Sequence, residues 1–362
     1  MSERILVLGN SSDGLYGFRK ELLKALAEKG EVYASVPDNG WFAELEAQGC
    51  GVIETPVDRR GINPVTDLKL LLRYIRMIRS LKPTLVMTYT IKPNIYGGLA
   101  CQLLRVPYAV NITGLGTTFQ KTGLLRTIVT VLYKLALHSA QVVFFENRGN
   151  LQTLLELGIV RETRCRVLNG AGINLERYSV CPYPADDDLV RFLFIGRVMA
   201  EKGVNELFAA MERLVSEGHR CELDVLGYYE EDYKDTIEQY TRQGWLHYHG
   251  FQSDVRPFIA DAHCFVLPSW HEGMANTNLE CAAMGRPVIT SRIHGCMEAV
   301  DENVSGLLCE PKNADSLYEV MKRFLAMSQE EREAMGLAGR RHMEAVFDKK
   351  KVVAETMKGL GL

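Results

Sequence analysis

The sequence predicts an α/β protein of two domains, each a parallel β-sheet wrapped by helices. Short apolar, β-prone runs alternate with helical patterns along the chain, which is typical of parallel strands joined by helical crossovers. A chain of 362 residues with 47% hydrophobic and 24% charged residues is also long enough to build two complete cores. The alternation occurs twice, so we expect two similar halves.

The first half contains strand-like runs separated by helical patterns. The runs are residues 5–8, 31–36, 51–55, 85–88, 108–112 and 141–146. The helical patterns are residues 16–29, 41–48, 67–81, 94–103 and 123–139. The runs are short and apolar, and the helical patterns repeat apolar residues every three or four positions. Residues 1–180 are therefore the predicted N-terminal domain.

The second half begins a new series of strand-like runs near residue 190. The runs continue at residues 222–226, 246–248, 264–267, 288–290 and 306–309, with helical patterns between them. Residues 178–188, between the two series, hold two prolines and three consecutive aspartates, which interrupt any periodicity. We place the domain junction there and the C-terminal domain at residues 188–346.

The composition disfavours secreted, membrane-spanning and thiolate-metal proteins. The nine cysteines are scattered, odd in number and without a C-x2-C pair, so we expect reduced thiols. The chain enters its first strand almost at once, with no apolar run long enough for a signal peptide or a membrane span. We expect a protein that stays in the cytoplasm.

The charge is unevenly distributed. From Arg59 to Lys134 the sequence holds twelve basic residues and one acidic residue, Asp67. Two helical patterns in this region carry apolar stripes, at positions 124, 125, 128, 131, 132 and 135 and at positions 71, 72, 75 and 78. Such stripes either belong to the domain core or lie on an anionic bilayer, and the one-sided charge favours the bilayer. We expect no nucleic-acid partner, because no binding motif accompanies the charge.

The turn after the first strand, residues 9–17, is rich in glycine and includes Gly14. It superficially resembles a dinucleotide-binding fingerprint. The spacing is not G-x-G-x-x-G, however, and no acidic residue ends the second strand in the usual place, so NAD binding is disfavoured. The alternatives are a turn that serves packing only and a turn that faces a ligand.

The most informative pattern is a pair of glutamates, Glu272 and Glu280, eight positions apart. An apolar run stopped by Pro268 precedes Glu272, which predicts a loop at the carboxyl end of a strand, where open α/β sheets bind ligands. A helix is expected from residue 276, so the residues before it would offer free backbone N–H groups to an anion. These residues are Gly273, Met274, Ala275 and Asn276. Taken alone, the spacing is equally compatible with ordinary helix carboxylates.

Other strand ends add cations and aromatic rings. Arg197 ends a buried-type strand and Lys202 follows before the next helix, so both are expected near the same ligand. Lys202 is expected to be an exposed loop cation whose removal impairs activity and leaves the fold intact. The tyrosines after Gly227 either line a nucleotide pocket or are surface aromatics. His247 and His249 alternate on a strand, and a packing or nucleotide-facing role is favoured over metal chelation because no third ligand is in view.

These motifs together resemble the retaining glycosyltransferases of family 4. The resemblance is carried by G-R-x4-K-G from Gly196, E-G-x6-E from Glu272, G-R-P-V-I from Gly285 and G-C-x-E-A-V from Gly295. In the first half, Y-T-I-K-P-N-I-Y-G-G from Tyr89 and N-I-T-G-L-G from Asn111 resemble a narrower branch. That branch assembles capsules and lipid-linked glycans, and includes transferases of N-acetylgalactosamine to undecaprenyl-diphosphate-linked sugars.

The resemblance implies the GT-B fold, in which two Rossmann-like domains face each other across a cleft. A last helix, about residues 347–362, is expected to return to the N-terminal domain. The implied reaction is metal-independent, uses no cofactor besides a UDP-sugar donor, and retains the anomeric configuration. The implied acceptor is a polyprenyl-diphosphate-linked sugar at the inner face of the plasma membrane.

The resemblance also implies roles for individual residues. Glu280 would bind the ribose hydroxyls and Glu272 the donor sugar, while Arg197 and Lys202 would bind the diphosphate. Phe251 follows a strand where the family contacts the base, although Phe251 is equally compatible with the core. The turn at Gly14 would face the acceptor and the donor phosphate. Thr113 stands before Gly114 where family members often have a histidine, so that catalytic contact departs from the family pattern.

Two other functions remain open from the sequence. A non-catalytic nucleotide-sugar binder in a glycan-assembly complex would keep the same fold, but the intact acidic and basic pairs argue against lost activity. A UDP-sugar epimerase also has this fold, but such enzymes lack the G-R-x4-K and E-x7-E combination. Donor turnover separates these functions.

Overall fold

The computed structural model describes residues 3–58, 63–116, 123–185 and 188–362. The chain forms two compact units, Met1–Ala171 with Lys350–Leu362, and Gly172–Lys349. Each unit contains one parallel β-sheet. The alternation of strands and helices read from the sequence is confirmed in both.

The first unit has a seven-stranded sheet in the order β3-β2-β1-β4-β5-β6-β7. The strands are β1 Glu3–Leu8, β2 Gly30–Val36, β3 Cys50–Glu54, β4 Leu85–Tyr89, β5 Tyr108–Ile112, β6 Val142–Phe145 and β7 Cys165–Val167. The helices are α1 Ser12–Ala27, α2 Phe42–Glu46, α3 Pro64–Leu81, α4 Gly98–Leu104, α5 Leu124–Leu137 and α6 Arg148–Glu156. A π-helical turn, Pro93–Gly97, precedes α4. Two apolar clusters fill this unit.

The second unit has a six-stranded sheet in the order β10-β9-β8-β11-β12-β13. The strands are β8 Val190–Ile195, β9 Cys221–Leu226, β10 Leu246–Gly250, β11 Cys264–Leu267, β12 Val288–Ser291 and β13 Gly306–Cys309. The helices are α7 Val204–Ser216, α8 Lys234–Arg242, α9 Arg256–Asp261, α10 Asn276–Ala283, α11 Ala314–Leu325 and α12 Gln329–His342. The last helix, α13, is Lys349–Leu360. Its Val352 and Met357 are buried in the core of the first unit.

Both sheets have a point where the strand order reverses. In the first sheet it lies between β1 and β4, and in the second between β8 and β11. The loops leaving two neighbouring strands diverge there, one to each side of the sheet, which opens a crevice at the carboxyl edge. The predicted residues Arg197, Lys202 and Glu272 all follow β8 or β11, so they lie beside this crevice in the second unit.

The first helix begins earlier than the sequence pattern predicts. We expected a glycine turn through residue 17, but α1 starts at Ser12, so Gly14 lies in its first turn. The Ser11 side chain caps the helix by accepting a hydrogen bond from the Gly14 N–H at 3.1 Å. The glycine turn that opens the helix is therefore shorter than expected, because a serine cap outweighs the low helix propensity of two glycines.

The two apolar stripes divide differently between core and solvent than expected. On α3, Ile75 and Ile78 are buried and Leu71 packs against the core, so of the predicted stripe only Leu72 is exposed. On α5, Leu132 packs against the core, whereas three other apolar side chains are exposed. Arg59, Arg60, Lys121 and the side chains of Leu124 and Leu125 lie outside the described residues.

The exposed apolar residues of these helices include several outside the two predicted stripes. α4 packs against both α3 and α5, so the three helices are neighbours. Each contributes large apolar side chains that are more than two-fifths exposed. These are Val65, Leu68 and Leu72 on α3, Leu103 on α4, and Ile128, Val131 and Leu135 on α5. We call these seven residues the apolar face. No helix in the described ranges is both long and apolar enough to span a membrane.

Candidate functional site

At the crevice of the second unit, the loop after β8 contacts the loop after β11. The chain leaves β8, forms a short 3-10 turn, Ala200–Lys202, and passes through Gly203 with φ +75° before α7. A Cβ at Gly203 would lie 2.1 Å from the Pro268 carbonyl oxygen, so only glycine allows the two loops to approach. The residues before Gly203 and after Pro268 are thereby brought together.

The contact joins two of the predicted site residues. The Lys202 ammonium forms an ion pair with Glu272 Oε1, and the Ser269 hydroxyl donates to the same oxygen at 2.8 Å. Only 18% of the Lys202 side chain and 12% of the Glu272 side chain are exposed. Lys202 is therefore not the exposed loop cation that the sequence suggested. A cation and a carboxylate stand side by side, able to bind the diphosphate and the sugar of one ligand.

A third loop fixes the position of Glu272. Gly295 has φ +90°, and a Cβ there would lie 2.6 Å from the Glu272 carbonyl oxygen and 2.8 Å from that of Gly273. The Gly295 carbonyl accepts from the Ala275 N–H at 2.7 Å, and the Gly295 N–H donates to Glu298 Oε2 at 2.6 Å. Glu298 thus fixes Gly295 by a hydrogen bond to its N–H, and the Gly295 carbonyl fixes the loop that carries Glu272.

The start of α10 differs in part from its prediction. The helix begins at Asn276, as expected. The Ala275 N–H is already bonded to Gly295, however, so it is not free for an anion. Met274 and Ala275 are buried in the core of the unit, and this packing fixes the turn that precedes α10. The Asn278 side chain donates to Thr290 Oγ1 at 3.1 Å and ties the helix to β12.

A cavity of about 210 Å³ lies beside this crevice, at the carboxyl ends of β8, β9 and β10. Arg197, Tyr228, Phe251 and Val255 line it. Phe251 is 70% exposed, so it is not a core residue, and Tyr228 is half exposed beside it. The Arg197 guanidinium lies 3.4 Å from Glu230, leaving it partly exposed to the cavity. Aromatic rings on a small cavity next to a cation suit a nucleobase attached to phosphates.

Glu280 lies on α10 and contacts a residue that the sequence did not indicate. The Tyr178 hydroxyl donates to Glu280 Oε1 at 2.9 Å. Burial raises the pKa of Glu280 to about 7, and the Tyr178 hydrogen bond together with the charges of Arg177 and Lys349 opposes that rise. A carboxylate that titrates near neutrality inside a candidate site is typical of functional residues.

His271 lies between Trp270 and Glu272 on the loop after β11. Its Nε2 is 3.6 Å from Glu201 Oε2, and burial lowers its pKa although Glu201 and Glu272 act in the opposite direction. The Trp270 indole N–H donates to Glu206 Oε1 at 3.1 Å. Lys202, Glu201 and Glu206 therefore bind three successive residues of one loop, which fixes that loop over α7.

The two histidines of β10 pair with carboxylates of the neighbouring strand. His249 Nε2 lies 2.6 Å from Asp224, and His247 Nε2 lies 3.3 Å from Glu222, both on β9. Among the described residues no group of three or more His, Cys, Asp or Glu side chains is arranged to hold a metal ion. Each ring nitrogen that faces β9 is therefore paired with a carboxylate of that strand.

The predicted residues of the first unit lie at the carboxyl edge of its own sheet. Thr113 follows β5 and is partly buried, whereas the Gly14 N–H is occupied by Ser11. Thr90, after β4, has φ +71°, which is a strained conformation for a β-branched residue. Asn94 is buried nearby, accepts from Thr88 and donates to the Asn111 carbonyl at 3.0 Å. The motifs that begin at Tyr89 and Asn111 thus meet between β4 and β5.

Three residues of this geometry were missed in the sequence. Tyr178 lies 102 positions from Glu280, and no local pattern connects the two. Glu298 was part of a recognised motif but had no role. Ser269 lies three residues before Glu272, and a hydroxyl at that spacing was the one available signal.

Comparison with known proteins agrees with this geometry. The family model described as glycosyl transferases group 1 matches residues 182–342. The model described as glycosyl transferase 4-like matches residues 4–147. The two models therefore cover most of both units.

Two curated relatives match along much of their length. One is the N,N'-diacetylbacillosaminyl-diphospho-undecaprenol alpha-1,3-N-acetylgalactosaminyltransferase of Campylobacter jejuni, 27% identical over 97% of this chain and 96% of the relative. The other is the capsular polysaccharide biosynthesis glycosyltransferase CapM of Staphylococcus aureus, 24% identical over 80% of this chain and 79% of the relative.

Solved structures share the fold. The structure of HepE from Anabaena in complex with UDP and glucose superposes with a TM-score of 0.82 over 99% of both chains, at 16% identity. Sucrose-phosphate synthase from Thermosynechococcus elongatus gives a TM-score of 0.78 over 98% of both chains, at 18% identity. At these identities the likeness concerns the fold alone.

Proposed function

The chain is a glycosyltransferase with the GT-B fold, and from this premise we propose that it transfers a sugar from a UDP-sugar to an undecaprenyl-diphosphate-linked glycan. The observation that carries the proposal is the Lys202–Glu272 pair at the strand-order reversal of the second sheet, beside a cavity lined by Arg197 and Phe251. Cation, carboxylate and aromatic rings there match the diphosphate, sugar and base of one donor.

The proposed donor contacts follow from this arrangement. The base would lie in the cavity between Tyr228 and Phe251, and Glu280 would accept hydrogen bonds from the ribose hydroxyls. Lys202 and Arg197 would neutralise the diphosphate as negative charge grows on it. Because these side chains supply fixed positive charge, we propose that the reaction needs neither a metal ion nor a further cofactor.

The proposed reaction retains the anomeric configuration. The bond between the anomeric carbon and the β-phosphate oxygen breaks, and a bond to the acceptor hydroxyl oxygen forms on the same face. The acceptor proton passes to the departing phosphate, and UDP is released. Glu272, next to the sugar, would stabilise the positive charge that develops at the anomeric carbon.

The nature of the sugar and acceptor is proposed from the relatives. The Campylobacter relative is named as an N-acetylgalactosaminyltransferase acting on an undecaprenyl-diphosphate-linked sugar, and it aligns over nearly the whole chain. We therefore propose an N-acetylhexosamine donor, such as UDP-N-acetylgalactosamine. The acceptor would be bound by the first unit, where the residues around Thr90 and Thr113 meet.

The lipid carrier requires access to a bilayer, and the apolar face provides a surface suited to it. Four basic residues, Lys69, Arg73, Arg76 and Arg79, are exposed on α3 beside the apolar side chains of that helix. Exposed apolar side chains flanked by basic ones match the boundary of an anionic membrane. We propose that the apolar face contacts the inner leaflet of the plasma membrane.

The test is release of UDP from a panel of UDP-sugars, with and without undecaprenyl-diphosphate-linked sugar acceptors. We expect one donor to be consumed, faster with lipid acceptor, and consumption to stop in Glu272→Ala. Chelator should leave the rate unchanged, and NMR of the product should show the donor's anomeric configuration. UDP binding without turnover of any donor would instead indicate a nucleotide-sugar binder, and conversion of the donor without UDP release an epimerase.

A further inference from the structure

Tyr178 makes the one side-chain hydrogen bond that the structure gives to Glu280 among the described residues. Its hydroxyl donates to Glu280 Oε1 at 2.9 Å. The second carboxylate oxygen, Oε2, makes no hydrogen bond to any described side chain. A carboxylate held through one oxygen, with the other open, is oriented for a ligand that donates a hydroxyl proton.

The two residues are held together by a framework that does not depend on their own hydrogen bond. Arg340 of α12 donates to the Tyr178 carbonyl at 2.8 Å and to the Ala283 carbonyl, at the end of α10, at 2.9 Å. Asn174 closes the turn before Tyr178 by accepting from the Arg177 N–H at 2.9 Å. The turn and the helix therefore keep their relative position when only the phenol oxygen is removed.

The charged groups that act on Glu280 come from two elements, the turn before it in the chain and the start of α13. Tyr178 and Arg177 face it from the turn, with the Arg177 guanidinium 5.9 Å from the Tyr178 ring. Lys349 acts on it from the start of α13. The neighbouring Cys281 thiol is buried, and its pKa is raised by that burial, so it stays neutral. Arg286 and Arg340 bind backbone carbonyls near the end of α10 instead of the carboxylate.

We propose that Tyr178 is a positioning residue of the nucleotide site, which holds one oxygen of Glu280 so that the other accepts a ribose hydroxyl of the donor. This inference rests on the proposed function, because it assumes that Glu280 meets a nucleoside diphosphate. Tyr178 itself needs no contact with the nucleotide. It acts by fixing the rotamer of Glu280 and by favouring its ionised form.

This role has a pH signature. The pKa of Glu280 is about 7, and the Tyr178 hydrogen bond lowers it. If only the ionised carboxylate binds ribose, UDP affinity should rise about tenfold between pH 6 and pH 8. Removing the phenol oxygen should move the midpoint of that rise to higher pH. At pH 7 the affinity should fall about fivefold, the change expected from one lost hydrogen bond.

The experiment is calorimetric titration of UDP into the full-length chain from pH 6 to pH 8. The variants are Tyr178→Phe, Glu280→Gln and the double variant. The terminal phosphate of UDP also titrates, at about pH 6, and therefore contributes to the pH dependence of binding. Glu280→Gln keeps this phosphate contribution and removes that of the carboxylate. Tyr183→Phe is a matched control, since its hydroxyl donates to the His263 carbonyl at 2.8 Å in the same unit, away from Glu280.

The inference is supported if Tyr178→Phe shifts the midpoint upward, Tyr183→Phe does not, and the Tyr178→Phe effect vanishes in the Glu280→Gln background. It is overturned if Tyr178→Phe binds UDP with the wild-type pH profile. It is equally overturned if the loss persists without the Glu280 carboxylate, since Tyr178 would then act on the fold in general. Failure of the wild-type chain to bind UDP would overturn the proposed function as well.

Discussion

At the scale of the residue, the Lys202–Glu272 pair decides how substitutions at the site behave. Sequence reasoning placed both residues near one ligand, because each follows a strand of the same sheet. It could not predict their ion pair, since the close approach depends on Gly203 meeting the Pro268 carbonyl. Sequence reasoning expected the fold to tolerate the loss of Lys202, on the assumption of an exposed loop cation, and that assumption is wrong because only 18% of the side chain is exposed.

We therefore predict that Lys202→Met lowers both transfer activity and stability. The substitution leaves a nearly buried Glu272 carboxylate without its cation, which should cost about 2 kcal/mol of unfolding free energy. Adding Glu272→Gln should restore most of that stability and none of the activity. Denaturant unfolding of the two single variants and the double variant measures the coupling. Additive effects on stability would contradict the pairing.

A second prediction concerns Glu280 and the pH dependence of the free energy of unfolding. Its pKa is about 7 in the folded protein and 4.5 in its ordinary state, so its contribution to stability is complete at low pH and is lost as pH rises through about 7. Glu280→Gln removes that loss. The variant should be more stable than wild type at pH 8, by up to about 3 kcal/mol, with a smaller difference at pH 5. Thermal unfolding of both proteins at pH 5 and pH 8 checks this. The same stability difference at both pH values would contradict it.

At the scale of the element, the sequence predicted the strands best. Four of them, β5, β11, β13 and β1 after its first two residues, match the predicted runs, because buried parallel strands are short apolar blocks bounded by polar residues. β7 was missed because it has three residues and includes Arg166. The face that α3 presents to the core was also misjudged, since its apolar residues lie on both sides of the helix.

A further prediction compares Gly295, in the loop after β12, with Gly244 of the same unit. Gly295→Ala should abolish transfer, because the new Cβ would collide with the Glu272 and Gly273 carbonyl oxygens. Gly244 has a similar φ of +85° and open space around it, so Gly244→Ala imposes the same backbone strain without a collision. Both should lose about 1 kcal/mol from strain. Steady-state kinetics should show loss of activity in the first alone, and equal activities would contradict the role of Gly295.

In the molecule as a whole, exposed basic side chains and exposed apolar side chains occur together on α3 of the first unit. The basic excess was evident from the sequence, whereas the apolar face was not. Helical spacing alone does not show which of two apolar sides of α3 meets the core. On α5 the exposed residues Ile128, Val131 and Leu135 belonged to the predicted stripe, but Leu132 of the same stripe packs against the core.

We predict that the full-length chain sediments with vesicles containing phosphatidylglycerol and not with neutral phosphatidylcholine vesicles. Replacing Ile128, Val131 and Leu135 by serine should abolish binding, and replacing Arg73, Arg76 and Arg79 by glutamine should weaken it about a hundredfold, at about 1 kcal/mol per residue. Serine at Val304 and Leu337, which are also exposed but lie in the second unit, is the matched control. Equal binding by all variants would rule out the apolar face.

The return of the chain to its first unit has a consequence for biosynthesis. Gly172–Lys349 is one continuous stretch, whereas the first unit is built from residues that precede this stretch and residues that follow it. On the ribosome, the continuous unit is complete while the unit begun earlier still lacks Val352 and Met357, which fill part of its core. Gly359, packed against the Phe144 ring, arrives later still. A nonsense codon after Lys349 would therefore damage the half of the protein that was translated first.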